Sequence, residues 1–175
     1  MPPWLEAGRA RGVATDLRCA RALHRAAARP LLQRMLWCCS RAGDAPVWLA
    51  VVAPLLWITP EVGRLALLLG AANLLLYWPL KALTRRSRPC VQWDDIRAFE
   101  RASDQYSFPS GHTLHAVAFA VLLSAWQPLL APLLIGFALL LAASRVVLGV
   151  HYPSDVLAGA AIGAVTGTIA AQWLP

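Results

Sequence analysis

Charged residues are scarce in this 175-residue chain, of which Asp, Glu, Lys and Arg make up only 14%. Soluble domains carry about a quarter. Hydrophobic residues account for 58% of the chain, and they come in long blocks without the periodicity of a half-buried helix or strand. This composition excludes an ordinary soluble domain and predicts a membrane protein.

Paired cysteines and nucleic-acid motifs are also lacking. The four cysteines form no C-x-x-C pair and have no zinc-site spacing, so we expect free thiols. The net charge of +7 comes almost entirely from arginine, but no aromatic residues are interleaved with the basic ones and no recognition motif is present. We therefore expect no nucleic-acid partner, and we ascribe the charge to an anionic membrane surface or an anionic substrate.

The first 41 residues are predicted to form a basic tail and an amphipathic helix at the membrane interface. We expect residues 1–15 to be loosely attached and residues 16–41 to be helical, with a break at Pro30. Four arginines share one face of this helix and four apolar residues share the other, a pattern typical of a helix that lies on a membrane. A basic tail in water is the alternative. The arginines are Arg18, Arg21, Arg25 and Arg29, and the apolar residues are Leu17, Ala20, Leu23 and Ala27.

Five apolar blocks follow and predict an all-α, membrane-embedded helix bundle over residues 42–175. Several blocks are shorter than the ~20 residues that cross a bilayer, a gap that polar helix ends or local thinning could close. We expect five transmembrane helices, or six if residues 31–39 also enter the membrane. The blocks run from about 45 to 59, 65 to 80, 113 to 127, 129 to 148 and 156 to 174.

Three glycines recur at every fourth position of the last block. Gly159, Gly163 and Gly167 would lie on one face of a helix. Small residues at this spacing let two membrane helices approach closely. We therefore predict a packing role for this face.

Outside the N-terminal tail, polar residues gather in three clusters, each at the edge of an apolar block. The first contains Lys81, Arg88 and Pro89; its two cations are seven residues apart and fall on nearly the same face of a helix. Two cations placed in this way could share one anion. The alternative is a basic cluster that contacts lipid headgroups.

The second cluster is a Pro-Ser-Gly turn followed by His112, at residues 109–112. Such a turn before an apolar helix leaves backbone N–H groups free at the helix N-terminus, where an anion can bind. Gly111 would let the backbone approach a ligand, and Ser110 could cap the helix or bind phosphate. His112 is an ionisable group at a membrane edge, with a structural histidine as the alternative. A metal pair with His115 is disfavoured because no carboxylate or cysteine lies nearby to complete it.

The third cluster contains Ser144, Arg145, His151 and Asp155 around the junction of the last two blocks. Arg145 lies within an apolar block, where an unpaired charge costs roughly 2.5 kcal/mol or more, so we expect an anion to meet it. Asp155 could accept a hydrogen bond from one imidazole nitrogen of His151 and leave the other nucleophilic. A serine hydrolase is disfavoured, since Ser110 stands in no Gly-x-Ser-x-Gly motif.

The three clusters together resemble the three-part signature of the type 2 phosphatidic acid phosphatase superfamily, with every defining position present and in order. The resemblance implies that His151 attacks phosphorus to form a phosphohistidine, that Asp155 orients His151, and that His112 protonates the leaving lipid oxygen. It also implies no metal and no other cofactor. The remaining polar residues would hold the phosphate oxygens: Lys81, Arg88, Ser110, Gly111 and Arg145.

The resemblance implies a lipid phosphatase of the inner membrane, with the bilayer and a lipid phosphate as its partners. The expected substrates are of the undecaprenyl diphosphate, phosphatidate or phosphatidylglycerophosphate type, and the oligomeric state stays open. A vanadate-type haloperoxidase shares the same pocket, but that group is soluble. A non-catalytic scaffold of the same fold would have lost His151 or His112, and both are present.

The distribution of basic residues predicts which way the site faces. With five spans, all of the 16 Lys and Arg residues except Arg64 fall on the side of the three clusters. The positive-inside rule then places the site toward the cytoplasm. Members of the resembled family usually face outward, but many have three spans before the first cluster, and only two blocks precede it here.

Overall fold

A computed structural model describes residues 3–102 and 104–175 of the chain, apart from the side chains of residues 3–10. Every regular element in these ranges is helical, and one isolated bridge joins Ser87 to Tyr106. The predicted all-α class is confirmed. The α-helices are α1 (Pro3–His24), α2 (Pro30–Ala42), α3 (Ala45–Ile58), α4 (Pro60–Thr84), α5 (Pro89–Gln92), α6 (Gly111–Trp126), α7 (Ala131–Val147) and α8 (Pro153–Ala171), with 3₁₀ turns at Arg25–Ala28 and Pro128–Leu130.

The predicted break at Pro30 is confirmed. Arg29 has extended backbone geometry, with ψ at 108°, and α2 begins at the proline. The proline ring disfavours helical geometry in the residue before it, but it fits the first turn of a new helix, where its missing N–H is not needed. The same chemistry sets the starts of α4 and α8 at Pro60 and Pro153.

The lengths of the helices give three or four candidate membrane spans among the described residues. The helix α4, the segment Pro128–Val147 and the helix α8 are long and apolar enough to cross a bilayer. The helices α2 and α3 qualify only as one pair, bent by 50°. The 16-residue helix α6 falls short, because it covers only about 24 Å of a ~30 Å hydrocarbon core. Each predicted block forms a helix, while the count of five spans stays a prediction.

The outward surface of the bundle is strongly apolar. Large leucine side chains on α4, α7 and α8 are between 67% and 77% exposed, which water would disfavour and lipid tails would not. The chain is therefore a multi-pass membrane protein. The leucines are Leu68, Leu75, Leu133, Leu139 and Leu157.

The apolar face of the N-terminal segment packs on the protein. Leu17, Ala20 and Ala27 are buried, the first two in a cluster with the loop residue Ile96. The side chain of Leu23 is 47% exposed. Leu23 lies about 60° around the helix from Ala20, at the edge of the buried stripe, and its place on the apolar face stays a prediction. A position in the membrane interface stays a prediction for this segment.

The predicted glycine packing face is confirmed and determines how α6 and α8 meet. A Cβ atom added at Gly159 would lie 2.5 Å from the carbonyl oxygen of Ser110, and one at Gly167 would lie 2.6 Å from that of Ala118. Gly163 is equally close to Leu114. This contact brings the start of α6, with His112, beside the start of α8, with Asp155.

Candidate active site

The three predicted clusters meet in one cavity of about 660 Å³ at a single end of the bundle. Its polar lining combines the ends of α4 and α7 with the start of α6 and the turn before α8. Ser110 and Asp155 do not line the cavity, because both are fully buried behind residues that do. The predicted site residues that line it are Lys81, Arg88, Gly111, His112, Arg145 and His151.

Lys81 and Arg88 share one anion, and that anion is the carboxylate of Asp104. Lys81 Nζ lies 2.9 Å from Asp104 Oδ1, and an Nη atom of Arg88 lies 3.0 Å from the same oxygen. Burial raises the pKa of Asp104, but the hydrogen bond and charge of Lys81 and the charge of Arg88 outweigh burial and bring it below its usual value. Sequence reasoning missed Asp104, which lies in a polar loop without a motif of its own.

Arg145 meets the anion that its buried position requires. Its Nη1 lies 2.6 Å from Glu100 Oε2 and also donates to the hydroxyl of Ser40 on α2. Both side chains of the Arg145–Glu100 pair are only 2% exposed. The buried Nε of Arg145 has no hydrogen-bond partner among the described residues.

His151 is held as a neutral imidazole with Nε2 directed at a cation. An Nη atom of Arg88 lies 3.2 Å from Nε2. A guanidinium can only donate, so Nε2 is the unprotonated nitrogen. Burial lowers the pKa of His151 well below its usual value, and the charges of Arg145 and Arg88 lower it further. The imidazole therefore keeps a free electron pair for attack on an electrophile.

Asp155 lies behind His151 and is fixed by other groups. The separation from His151 Nδ1 to Asp155 Oδ2 is 3.5 Å, longer than an ordinary hydrogen bond. The same oxygen accepts the backbone N–H of Tyr152 at 2.8 Å, as part of the N-terminal cap of α8. Its other oxygen, Oδ1, accepts an N–H of Arg86 at 2.7 Å.

His112 has a carboxylate partner that sequence reasoning also missed. His112 Nε2 lies 2.9 Å from Asp44 Oδ1, and the other oxygen of Asp44 lies 2.9 Å from Arg41. A signal was available, since Asp44 stands directly before an apolar block in a chain with only nine acidic residues. Acidic side chains at the edge of a membrane helix are functional candidates.

The start of α6 faces the cavity, while the hydroxyl of Ser110 does not. Helix α6 begins at Gly111, so its first backbone N–H groups lack partners within the helix. Instead, the hydroxyls of Ser110 and Thr113 form a hydrogen bond in the protein interior, with Oγ and Oγ1 3.0 Å apart. Phosphate binding by the Ser110 hydroxyl stays a prediction.

The cavity extends from these polar groups into an apolar arm between α3, α4 and α6. Its lining there is formed by aromatic and aliphatic side chains, without a charged group. A ligand that fits the whole space has an anionic head and a hydrocarbon tail. The residues of this arm include Trp48, Leu49, Val52, Leu67, Leu74 and Phe119.

The donor set of the site consists mainly of cations and imidazoles. Within residues 3–102 and 104–175, no group of three or more His, Cys, Asp or Glu side chains is placed to hold a metal ion. His115 Nδ1 lies 2.9 Å from the carbonyl oxygen of Gly111. Metal independence stays a prediction.

A sequence profile described as the PAP2 superfamily matches residues 61–175, more than half of the chain. Decaprenylphosphoryl-5-phosphoribose phosphatase of Mycobacterium tuberculosis is 41% identical over 90 residues, which are 51% of this chain and 49% of that protein. The chain thus spans about half the length of this curated relative.

Two solved structures are similar over most of the chain. Aquifex aeolicus LpxE superimposes with a TM-score of 0.81 at 27% identity, covering 89% of this chain and 94% of the other. The PAP2 type phosphatidylglycerolphosphate phosphatase from Bacillus subtilis gives a TM-score of 0.72 at 26% identity, covering 89% and 84%. Helices before residue 61 therefore also have counterparts in solved structures.

Proposed function

This chain belongs to the PAP2 superfamily, and on that premise we propose that it is an integral-membrane lipid phosphatase. It removes phosphate from a phosphomonoester or diphosphate of a membrane lipid. One observation carries the proposal: His151 Nε2, unprotonated and 3.2 Å from Arg88, lies in a cavity whose other arm is apolar. A nucleophile, a cation and a hydrocarbon groove are the parts that hydrolysis of a lipid phosphate needs.

The first step is attack by His151 Nε2 on phosphorus. The bond from phosphorus to the lipid oxygen breaks in line, and a phosphohistidine forms. His112 donates a proton to the leaving oxygen, which becomes the hydroxyl of the lipid or, from a diphosphate, the monophosphate. With Nε2 of His112 engaged by Asp44, the other ring nitrogen carries this proton.

The second step is hydrolysis of the phosphohistidine. The imidazole of His112, neutral after the first step, takes a proton from a water molecule that attacks phosphorus. The bond between phosphorus and His151 breaks, and inorganic phosphate leaves. Protons balance, because His112 regains in this step the proton that it gave in the first.

The charge of the phosphoryl group is balanced by cations and backbone dipoles. Lys81, Arg88 and Arg145 line the cavity beside His151. The N–H groups at the start of α6, from Gly111 onward, add the positive end of a helix dipole. Such preorganised groups stabilise the charge on the equatorial oxygens in the transition state.

Phosphate release from purified full-length protein tests the function. The panel contains undecaprenyl diphosphate, phosphatidate and phosphatidylglycerophosphate, with glycerol 3-phosphate as a substrate that lacks a tail. We expect release from at least one lipid and little from glycerol 3-phosphate, since only a lipid fills the apolar arm. His151→Ala should abolish turnover and Asp155→Asn should weaken it, while Asp94→Asn, in an exposed loop, should behave as wild type. Near-normal turnover by His151→Ala would overturn the mechanism.

We further propose five spans, with the active site at the cytoplasmic face of the inner membrane. The support is the charge count, in which Arg64 is the lone basic residue at the far end of the bundle. A cysteine-free variant with either Arg101→Cys or Gln127→Cys places one thiol at each end, both at exposed positions. A membrane-impermeant maleimide added to intact cells should label the thiol at 127 and spare the one at 101. The reverse labelling would place the site outside.

A further inference from the structure

Arg86 lies between the two cavity cations in sequence but turns away from the cavity. Lys81 and Arg88 line the 660 Å³ cavity, and Arg86 does not. One of its Nη atoms lies 2.7 Å from Asp155 Oδ1 and 2.6 Å from Ser154 Oγ. Its guanidinium also lies over the ring of Tyr152, 4.0 Å from the ring centre. Arg86 therefore contacts Asp155 and its neighbours, on the side of His151 that faces away from the cavity.

The other Nη atom of Arg86 contacts Asp16 on the N-terminal helix α1. Its Nη2 lies 2.5 Å from Asp16 Oδ2, and the backbone N–H of Ser154 donates to the other oxygen of Asp16 at 3.0 Å. The hydroxyl of Ser154 donates to Asp16 as well. Asp16 thereby ties α1 to the first turn of α8 and to the cation that pairs with Asp155.

This ion cluster is largely withdrawn from solvent. The side chains of Asp155, Asp16 and Arg86 are 0%, 10% and 26% exposed. A buried carboxylate without a cation is costly, so Arg86 is needed to keep Asp155 ionised, and Asp16 fixes where Arg86 stands. Arg86 lies within the span of the first cluster, at a position that the signature does not define, whereas Asp16 lies outside all three clusters, and α1 precedes the part of the chain that the PAP2 profile matches.

We propose that Asp16 and Arg86 are positioning residues for catalysis, which hold Asp155 against His151 and make helix α1 part of the catalytic apparatus. This inference rests on the proposed phosphatase function for its kinetic consequences. The geometric chain runs from Asp16 through Arg86 and Asp155 to His151, the nucleophile.

The charges around the His151–Asp155 pair decide how each substitution shifts its titration. Cations surround the pair from several elements, and Asp16 is the acidic residue that touches Arg86 on its far side. Removal of Asp16 makes the net charge around the pair more positive, which lowers the pH at which the pair titrates. Removal of Arg86 makes the net charge less positive, which raises that pH. The ionisable groups that face the pair are Asp16 from α1, Lys81 from α4, Arg86 and Arg88 from the following segment, His112 from α6, Arg145 from α7 and Tyr152 from the turn itself.

Asp16→Asn and Asp95→Asn form a matched pair of variants. Asp95 also pairs with α1, through Arg21 at 2.6 Å, but this ion pair is exposed and distant from Asp155 in the hydrogen-bond network. In the full-length protein we expect Asp16→Asn to lower kcat about tenfold with KM within twofold, because a misplaced nucleophile costs rate rather than affinity. Asp95→Asn should keep both constants within twofold. Asp16→Glu, which keeps the charge, should recover part of the rate.

The titration of the His151–Asp155 pair shows whether Asp16 and Arg86 position the pair or only stabilise the folded protein. Histidine ¹⁵N NMR of the full-length protein, with the His151 signal assigned by its absence in His151→Ala, follows the pair directly. Asp16→Asn should move its titration and the acid limb of kcat/KM to lower pH. Arg86→Gln should move both to higher pH, Arg86→Lys, which keeps the charge but can make only one of the two contacts, should move them less, and Asp95→Asn should leave them unchanged.

The outcomes test the positioning role and the proposed phosphatase function separately. Equal behaviour of Asp16→Asn and Asp95→Asn, or shifts of the same sign in Asp16→Asn and Arg86→Gln, would overturn the positioning role. If Asp16→Asn does not fold, Asp16→Glu and Arg86→Lys decide, since the positioning role requires a smaller shift in Arg86→Lys than in Arg86→Gln. Absence of phosphate release by the wild type would overturn the proposed function, while the NMR titrations would still test the link between α1 and His151.

Discussion

His112 Nε2 lies 2.9 Å from Asp44 Oδ1, so the residue that precedes α3 holds the imidazole that opens α6. The two residues are 68 positions apart in the chain. A carboxylate in this position stabilises the protonated imidazole and fixes its orientation. Both properties suit the proposed role of His112 as the group that donates a proton to the leaving oxygen.

Asp44→Asn should slow turnover of a lipid phosphate while sparing substrates that leave without a proton. Loss of the carboxylate makes the protonated form of His112 less stable, and we expect kcat to fall on the order of 100-fold for a lipid substrate. With p-nitrophenyl phosphate, whose leaving group departs as an anion, the loss should be within about threefold. Steady-state kinetics on both substrates measure the difference, with Asp94→Asn as control. An equal loss on both would assign Asp44 a role other than proton donation.

Asp104→Asn should bind phosphate analogues more tightly and fold less stably. Its carboxylate lies between Lys81 and Arg88, where a phosphate oxygen would bind, so its removal frees both cations. We expect the affinity for vanadate to rise roughly tenfold, which corresponds to about 1.4 kcal/mol. Isothermal titration of the full-length protein measures it, and weaker binding would mean that Asp104 orients the cations instead of competing for them.

The lowered pKa of Asp104 also predicts how stability depends on pH. The ion pairs with Lys81 and Arg88 stabilise the ionised form in the folded protein, so the folded pKa lies below that of the unfolded chain. The contribution is therefore complete above a pH of about 4 and is lost as pH falls through the folded pKa. Thermal unfolding between pH 3 and pH 7 should show a smaller loss of Tm on acidification in Asp104→Asn than in wild type. A parallel loss in both would contradict this prediction.

Chelators should leave activity intact, and vanadate should inhibit it. Lys81, Arg88 and Arg145 already place three cations around the position of the phosphate, so a divalent ion is not needed for charge neutralisation. Turnover with and without EDTA, at fixed ionic strength, measures this directly. A strict requirement for Mg²⁺ would contradict the phosphohistidine mechanism proposed here.

Gly163→Ala should destabilise the bundle, and Gly136→Ala should not. A Cβ at Gly163 would collide with the backbone of α6 at Leu114, whereas one at Gly136 on α7 would meet nothing within 4 Å. We expect Gly163→Ala to lower the free energy of unfolding by about 1–3 kcal/mol, and activity with it, since this contact positions His112 beside His151. Thermal unfolding in detergent compares the two variants, and equal stability would show that α6 and α8 can separate without loss.

Much of the site could be predicted because its polar residues occur in short motifs at the ends of apolar blocks. Lys81, Arg88, His112, Arg145 and His151 stand out in the sequence as polar residues in or beside apolar blocks, and the structure brings them to one cavity. Their carboxylate partners were missed. Asp44, Glu100 and Asp104 lie in loops without a motif, and only chain folding shows which cation or imidazole each one meets.

The sequence by itself determined the membrane character, the helical class, the break at Pro30 and the glycine face of α8, because each depends on local composition or on spacing along a helix. Tertiary structure alone decided the pairing of Asp104 with two cations, the burial of Ser110 and the link from Asp16 through Arg86 to Asp155. The ion pairs among these features join residues 16 to 70 positions apart in the chain. Their geometry depends on how α1, α6 and α8 pack, which no local pattern in the sequence specifies.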